Sequence, residues 1–202
     1  RVLFRSLTAS TLIGIAVHRE RLYLWESAKP WFWYAATNAI SGTLTKFDLS
    51  KIGRRGGNLV AVHTWTRDSG DGVDDLACFF MSSGDVIIYS GSDPGDSNNW
   101  SLVGVFQIGA PINRRAVIKY GADVLVVTRD GILSLNTVLP LGRTRTDATV
   151  TDRISGAFHD AITSYAANTG WQLIHYPKGG MLIGNIPEAV PSTATQSIQF
   201  VM

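Results

Sequence analysis

The sequence predicts an all-β fold, a β-propeller or part of one, built from blades of about 48 residues with one inserted amphipathic α-helix. Three observations carry this expectation. Strand-length apolar segments recur in pairs, each pair joined by a short polar turn that contains Gly or Pro. The turn centres fall at positions 30, 84, 131 and 180, spacings of 54, 47 and 49 residues. The central runs, such as LACFF and VIIY, are apolar at consecutive positions rather than alternate ones, as in sheets covered on both faces.

Taken in order, the hairpins are RLYLWE/SAKP/WFWY, DLACFF/MSSGD/VIIY, DVLVVT/RDG/ILSL and WQLIHY/PKGG/MLIGNI. LVAVHTW and AVIKY precede the second and third hairpins, and WSLVGVFQIG completes the second blade. A four-stranded sheet of this size cannot hide both faces alone and stacks on its neighbours. The segment WTRDSGDGVDD then joins a strand ending near Trp65 to one starting near Asp75 as an exposed loop. The helix is predicted over 151–168. Ile154, Ala157, Phe158, Ala161, Ile162 and Tyr165 make one helical stripe, Thr151 is the N-cap, and Asn168 and Gly170 form the exit. Its apolar face is expected to pack on the chain's own sheets. The whole of 1–202 reads as one propeller region. Its start at Arg1 and its stop within SIQFVM point to a piece of a longer polypeptide.

Composition narrows the function classes. Eighteen basic residues against sixteen acidic ones leave a net charge of +2, too small to argue for nucleic-acid affinity from charge alone. Arg54–Arg55, Arg114–Arg115 and Arg143/Arg145 form short clusters beside turn residues and read as solvated charges or subunit salt bridges. The single cysteine, Cys78, lies in an apolar run and reads as a small buried hydrophobe. No apolar run reaches the length of a membrane-spanning helix.

The motifs that carry chemistry are sparse. His18, His63, His159 and His175 sit in separate segments without metal-ligand spacing, and no GxSxG, GxGxxG or P-loop pattern occurs. The acidic stretch with Asp68, Asp71, Asp74 and Asp75 fails as an EF loop: counted from Asp68, positions 3 and 5 are glycines and position 12 is Phe79. SGSDPGDSNNW resembles in part the Asp-box turn of sialidases, although Trp100 follows Gly95 by five residues where that box has three. With Glu20, Glu26 and Glu188 as the only glutamates, support for sialidase chemistry is thin. Trp31 and Trp33 share one face of their strand and Phe32 and Tyr34 the other, so one face is core and the other is a candidate sugar platform. No catalytic, cofactor or metal residue is assigned.

The order of RLYLWESAKPWFWY, LTKFDLS, RRGGNLVAVHTWTRDSGDGVDDLACFF, SGDVIIYSGSDPGDSNNWSLVGVFQIG, RRAVIKYGADVLVVTRDGILSLN, the helix and GWQLIHYPKGGMLI resembles the tail nozzle or head-stabilisation proteins of short-tailed bacteriophages, over roughly residues 20 to 186. That resemblance implies a non-enzymatic β-propeller virion protein, assembled in the bacterial cytoplasm into a hexameric ring at the distal end of the tail tube. Its partners would be adaptor and portal-side proteins, fibres or a plug, and the double-stranded DNA that passes through. The alternatives are a carbohydrate- or protein-binding propeller outside a virion and, third, a sialidase-like glycan hydrolase.

Overall fold

A computed structural model describes residues 7–68, 73–141, 149–188 and 197–202. The described chain is mostly β, with four antiparallel sheets and few helices. It divides into two compact units, Arg1–Ile108 and Gly109–Met202. No helix among the described residues is long and apolar enough to cross a membrane.

The first unit holds two four-stranded up-and-down sheets. One runs β1 (Leu12–His18), β2 (Arg21–Glu26), β3 (Trp31–Tyr34), β4 (Thr45–Asp48); the other runs β5 (Leu59–Asp68), β6 (Val73–Met81), β7 (Asp85–Gly91), β8 (Trp100–Gln107). In both, the hairpin read from the sequence supplies the two central strands. Side-chain alternation then decides what each face buries. Tyr23, Trp25, Phe32 and Tyr34 of the first sheet meet Ala77, Phe79, Ile87, Tyr89 and Trp100 of the second in one core. Its centre is aromatic. Phe32 stacks on Phe79 at 4.6 Å between centroids and Tyr89 on Trp100 at 4.9 Å. The opposite face of the second sheet, with Leu76, Cys78, Phe80, Val86 and Ile88, is buried as well, as the unbroken apolar runs require.

Two details explain how the sheets come so close. Gly14 in β1 leaves room for the Trp25 ring, which would lie 2.0 Å from a β-carbon there. The indole thereby reaches over β1 and donates to the Val60 carbonyl of β5 at 3.0 Å. Buried His18 bridges the same two strands from the other end of β1. Its Nδ1 lies 2.9 Å from the Thr64 hydroxyl and its Nε2 3.3 Å from the Gly91 carbonyl, so in the neutral ring Nε2–H donates and Nδ1 accepts.

The β5–β6 hairpin corrects one expectation. The strands do not stop near Trp65 and resume near Asp75; paired backbone continues to Asp68↔Val73. Asp74 and Asp75 are therefore strand residues, opposite Arg67 and Thr66. Residues 69–72, including Asp71, lie outside the described residues.

The second unit holds two three-stranded sheets. β9 (Val117–Tyr120), β10 (Asp123–Thr128) and β11 (Gly131–Ser134) form a meander, with isolated bridges Pro111↔Thr128 and Leu133↔Thr149 beside it. In the last sheet, β12 (Gln172–Tyr176), β13 (Met181–Pro187) and β14 (Ser197–Val201), the predicted hairpin lies at the edge rather than the centre.

A short helix α1 (Leu135–Leu141), not foreseen, follows β11 directly. Ser134 caps it: its hydroxyl oxygen accepts from Thr137 N–H at 3.3 Å and donates to Asp123, whose other oxygen accepts from Asn136 N–H. The predicted helix is present as α2 (Ser155–Tyr165), preceded by one 3-10 turn over Asp152–Ile154. Phe158, Ala161 and Ile162 pack on Leu125, Val127, Ile132, Trp171 and Leu182, all of the same unit. Ala157 of the expected stripe is exposed. Thr151 holds the N-cap position of that 3-10 turn, but its side chain makes no capping bond, and Ile154 stands at the N-cap of α2 itself. The buried Thr151 hydroxyl oxygen accepts instead from the Ile132 N–H of β11 at 3.2 Å, tying the helix approach to the sheet.

Candidate functional site

The aromatic segment Trp25–Tyr34 splits as the alternation predicts: Phe32 and Tyr34 are buried in the inter-sheet core, while Trp31 and Trp33 are half-buried on the other face. There Glu26, at the end of β2, gathers three donors. The Thr11 hydroxyl lies 2.7 Å from Oε1, and the Trp33 and Trp31 indoles lie 2.8 and 3.3 Å from Oε2. Both indole planes are thus held by one carboxylate. The Trp31 ring also has the Lys29 ammonium at 5.0 Å and the Lys46 ammonium at 4.9 Å from its centroid. Trp33 packs beside Leu24, Ala35 and Leu44. A sugar stacking on Trp31 competes with two cations already placed there, and one stacking on Trp33 competes with an apolar cluster.

Burial alone would raise the Glu26 pKa, but the bonds from Trp33, Thr11 and Trp31, with the Lys29 charge, outweigh it and hold the carboxyl below its ordinary value. A carboxyl depressed in the folded state stabilises the fold above its unfolded pKa, about 4.3, and that contribution is lost as pH falls through the folded value. Urea midpoints of wild type and Glu26→Gln are therefore expected to differ most at neutral pH and to converge on acidification. A gap that stays constant down to about pH 3 contradicts this assignment.

The partly Asp-box-like turn between β7 and β8 is built for structure. Asp93 accepts from Gly95 N–H at 2.9 Å, Asp96 from Asn98 N–H at 2.9 Å, and Ser92 from the Asn99 amide at 3.0 Å. Arg21 of the first sheet then meets Asp93 at 2.5 Å while also bonding the Ala35 carbonyl. This ion pair, only 11% exposed at the arginine, locks the turn onto the neighbouring sheet. Sequence reading missed it, although a signal exists: Arg21 precedes the core residues Tyr23 and Trp25 at two-residue spacing, so the alternation directs it inward.

Other candidates separate. Asp75 accepts from the Thr66 hydroxyl at 2.7 Å, and Asp74 is exposed in strand. Among the described residues, no group of three or more His, Cys, Asp or Glu side chains is placed to hold a metal ion. His63 faces Phe80, and His175 packs on Tyr120 at 4.4 Å. Cys78 is fully buried, and burial pushes its thiol pKa far up, the opposite of a nucleophile's environment. Arg54 and Arg55 are exposed, and the Arg55 N–H binds buried Asp85 at 2.8 Å. Arg114 and Arg115 are exposed beside an Asn113 turn; Arg143 and Arg145 lie outside the described residues.

A cleft of about 960 Å³ in the second unit, between the β10–β11 turn and α2, is lined by Arg129, Asp130, Asp152, Ser155 and His159 among others. Ser155 and His159 stand one helical turn apart there, but no hydrogen bond joins Ser155, His159 and Asp152 into a nucleophile–base–acid relay. No protein-family model matches the chain, and a search of curated proteins found no relative.

Proposed function

We propose that this chain is a non-enzymatic structural protein of a phage tail nozzle, a whole or partial β-propeller that extends the DNA channel, retains the packaged genome and supports ejection. It acts in the virion as a homo-hexameric ring, joined to adaptor and portal-side proteins and to fibres or a plug. One observation supports the reading: the two four-stranded up-and-down sheets of the first unit pack face to face, with their first strands β1 and β5 linked through His18–Thr64. Propeller blades stack in this manner. The segment order that resembles the nozzle family supports the same reading, as does the structural use of the Ser90–Trp100 turn and of Glu26.

The purified protein is expected to form rings of one size in electron micrographs. A protein that stays monomeric and binds glycans, with binding lost in Trp31→Ala or Trp33→Ala, overturns the reading in favour of a carbohydrate-binding propeller.

A further inference from the structure

Among the described residues, the two ends of the first unit carry opposite charge, and β5 fixes how far apart they lie. At the start of β5 the Leu59 N–H bonds the Lys29 carbonyl at 2.8 Å, and the Leu49 N–H bonds the Pro30 carbonyl at 3.0 Å. These bonds bring the β2–β3 turn and the β4–β5 connection together, and with them Lys29, Lys46, Lys51, Arg54 and Arg55. Four of the five are exposed and Lys29 is half-buried. Against them stand Glu26, already holding three donors, Asp48, which accepts from Ser50 N–H, and buried Asp85, which accepts from Arg55 N–H. Five cations less three anions leave this end at +2, and each of its carboxylates already accepts at least one hydrogen bond.

At the far end, ten residues and so about 30 Å along β5, the balance reverses. Arg21 is consumed by Asp93, and Arg67 is paired in register with Asp74 and has the Trp65 ring 5.9 Å away. Arg19 and Glu20 share the β1–β2 turn. Asp75 and Asp96 remain as further carboxylates. Counting Arg19, Arg21 and Arg67 against Glu20, Asp68, Asp74, Asp75, Asp93 and Asp96 gives three less six, or −3, among the described residues. The two ends are complementary and lie at opposite ends of the paired strands β5 and β6.

We infer that the first unit docks head to tail on a second copy of this chain, with the Lys29–Lys51–Arg54–Arg55 end of one protomer seated on the Glu20–Asp74–Asp75–Asp96 end of the next. Such a contact is heterologous: each copy offers one donor surface and one acceptor surface, which closes a ring when the rotation permits and otherwise makes a filament. Charge complementarity sets the partner and its orientation, and it weakens as salt screens it. The inference deepens the ring reading by naming a contact that builds the ring.

The test is sedimentation velocity of the full chain between about 0.05 and 0.5 M NaCl, where the screening length shrinks several-fold. Wild type is expected to form larger species at low salt and to lose them at high salt. Arg54→Glu with Arg55→Glu leaves two acidic ends, and Glu20→Lys with Asp74→Lys leaves two basic ends. Each pair of substitutions is expected to weaken association at least tenfold while circular dichroism stays unchanged. The chain carrying all four reversals is expected to associate again, as is an equimolar mixture of the two double variants. Restoration cannot come from a misfolded protein. Rings that persist unchanged in both double variants overturn this contact and leave the ring reading standing. A wild type that is monomeric at every salt and concentration overturns both.

Discussion

Replacing Phe79 with alanine is expected to destabilise the first unit by about 3–5 kcal/mol, the range for emptying a buried aromatic site. Phe79 is fully buried and stacked on Phe32 at 4.6 Å, with Tyr23, Tyr89 and Trp100 rings at 6.2–6.3 Å. The loss therefore combines transfer, cavity and ring–ring contributions. Whole domains are stable by only about 5–15 kcal/mol, so one side chain represents a large share. The urea midpoint should fall sharply, and the near-ultraviolet dichroism of the aromatic cluster should be lost at lower urea than in wild type. Leu102→Ala, on an edge strand and about half exposed, is the matched control and is expected to change stability by no more than about 0.5 kcal/mol. Equal effects at the two positions would mean that the sheets are not held by this core.

The second large effect is a backbone one. Gly91 ends β7 at φ +120°, and a β-carbon there would lie 1.9 Å from the Asn99 carbonyl oxygen. That oxygen accepts from the Ser92 N–H, and the Gly91 carbonyl accepts from His18. Gly91→Ala must move the strand, the turn or both, and is expected to cost at least about 3 kcal/mol. Gly42 has the same φ of +120° but would meet nothing within 4 Å. Gly42→Ala thus reports the dihedral strain alone, and the difference between the two variants isolates the clash. If both lose the same stability, the close approach of β7 to Asn99 is not what the glycine provides.

How much was legible in the sequence varies with the range of the interaction. Hairpins are local, and all four predicted turns join paired strands, because a Gly or Pro between two apolar runs states its own geometry. The faces of β3 were legible for the same reason: alternation alone separates Trp31 and Trp33 from Phe32 and Tyr34. Polar strand ends were not. Arg67, Asp68 and Asp74 look like loop residues, yet cross-strand pairing extends the ladder through them, since an exposed hairpin end tolerates polar side chains on both faces. Helix α1 was missed although Ser134 at its cap was a readable signal. Thr151 was read as a cap because threonine suits that role, but a strand nineteen residues earlier in the chain claims its hydroxyl.

The charged features were the least legible. The Arg clusters were visible as pairs, but nothing local states that Lys29 and Arg54 share one end of a sheet while Asp74 and Asp96 share the other. Only the pairing of β2–β3 with the β4–β5 connection brings the first group together. The same holds for Glu26, whose three donors come from residues 11, 31 and 33. Its role is to fix two tryptophans in place, and a lone glutamate in a strand carries no mark of that.

The central claim, a stacked-sheet protein that works as a ring in a phage tail, is tested most directly by electron microscopy of the purified chain with class averaging. The account predicts closed rings of a single rotational order around an open channel, with the stacked sheets as repeated wedges in each protomer. Separate monomers across the accessible concentration range, or aggregates with no common symmetry, would contradict it.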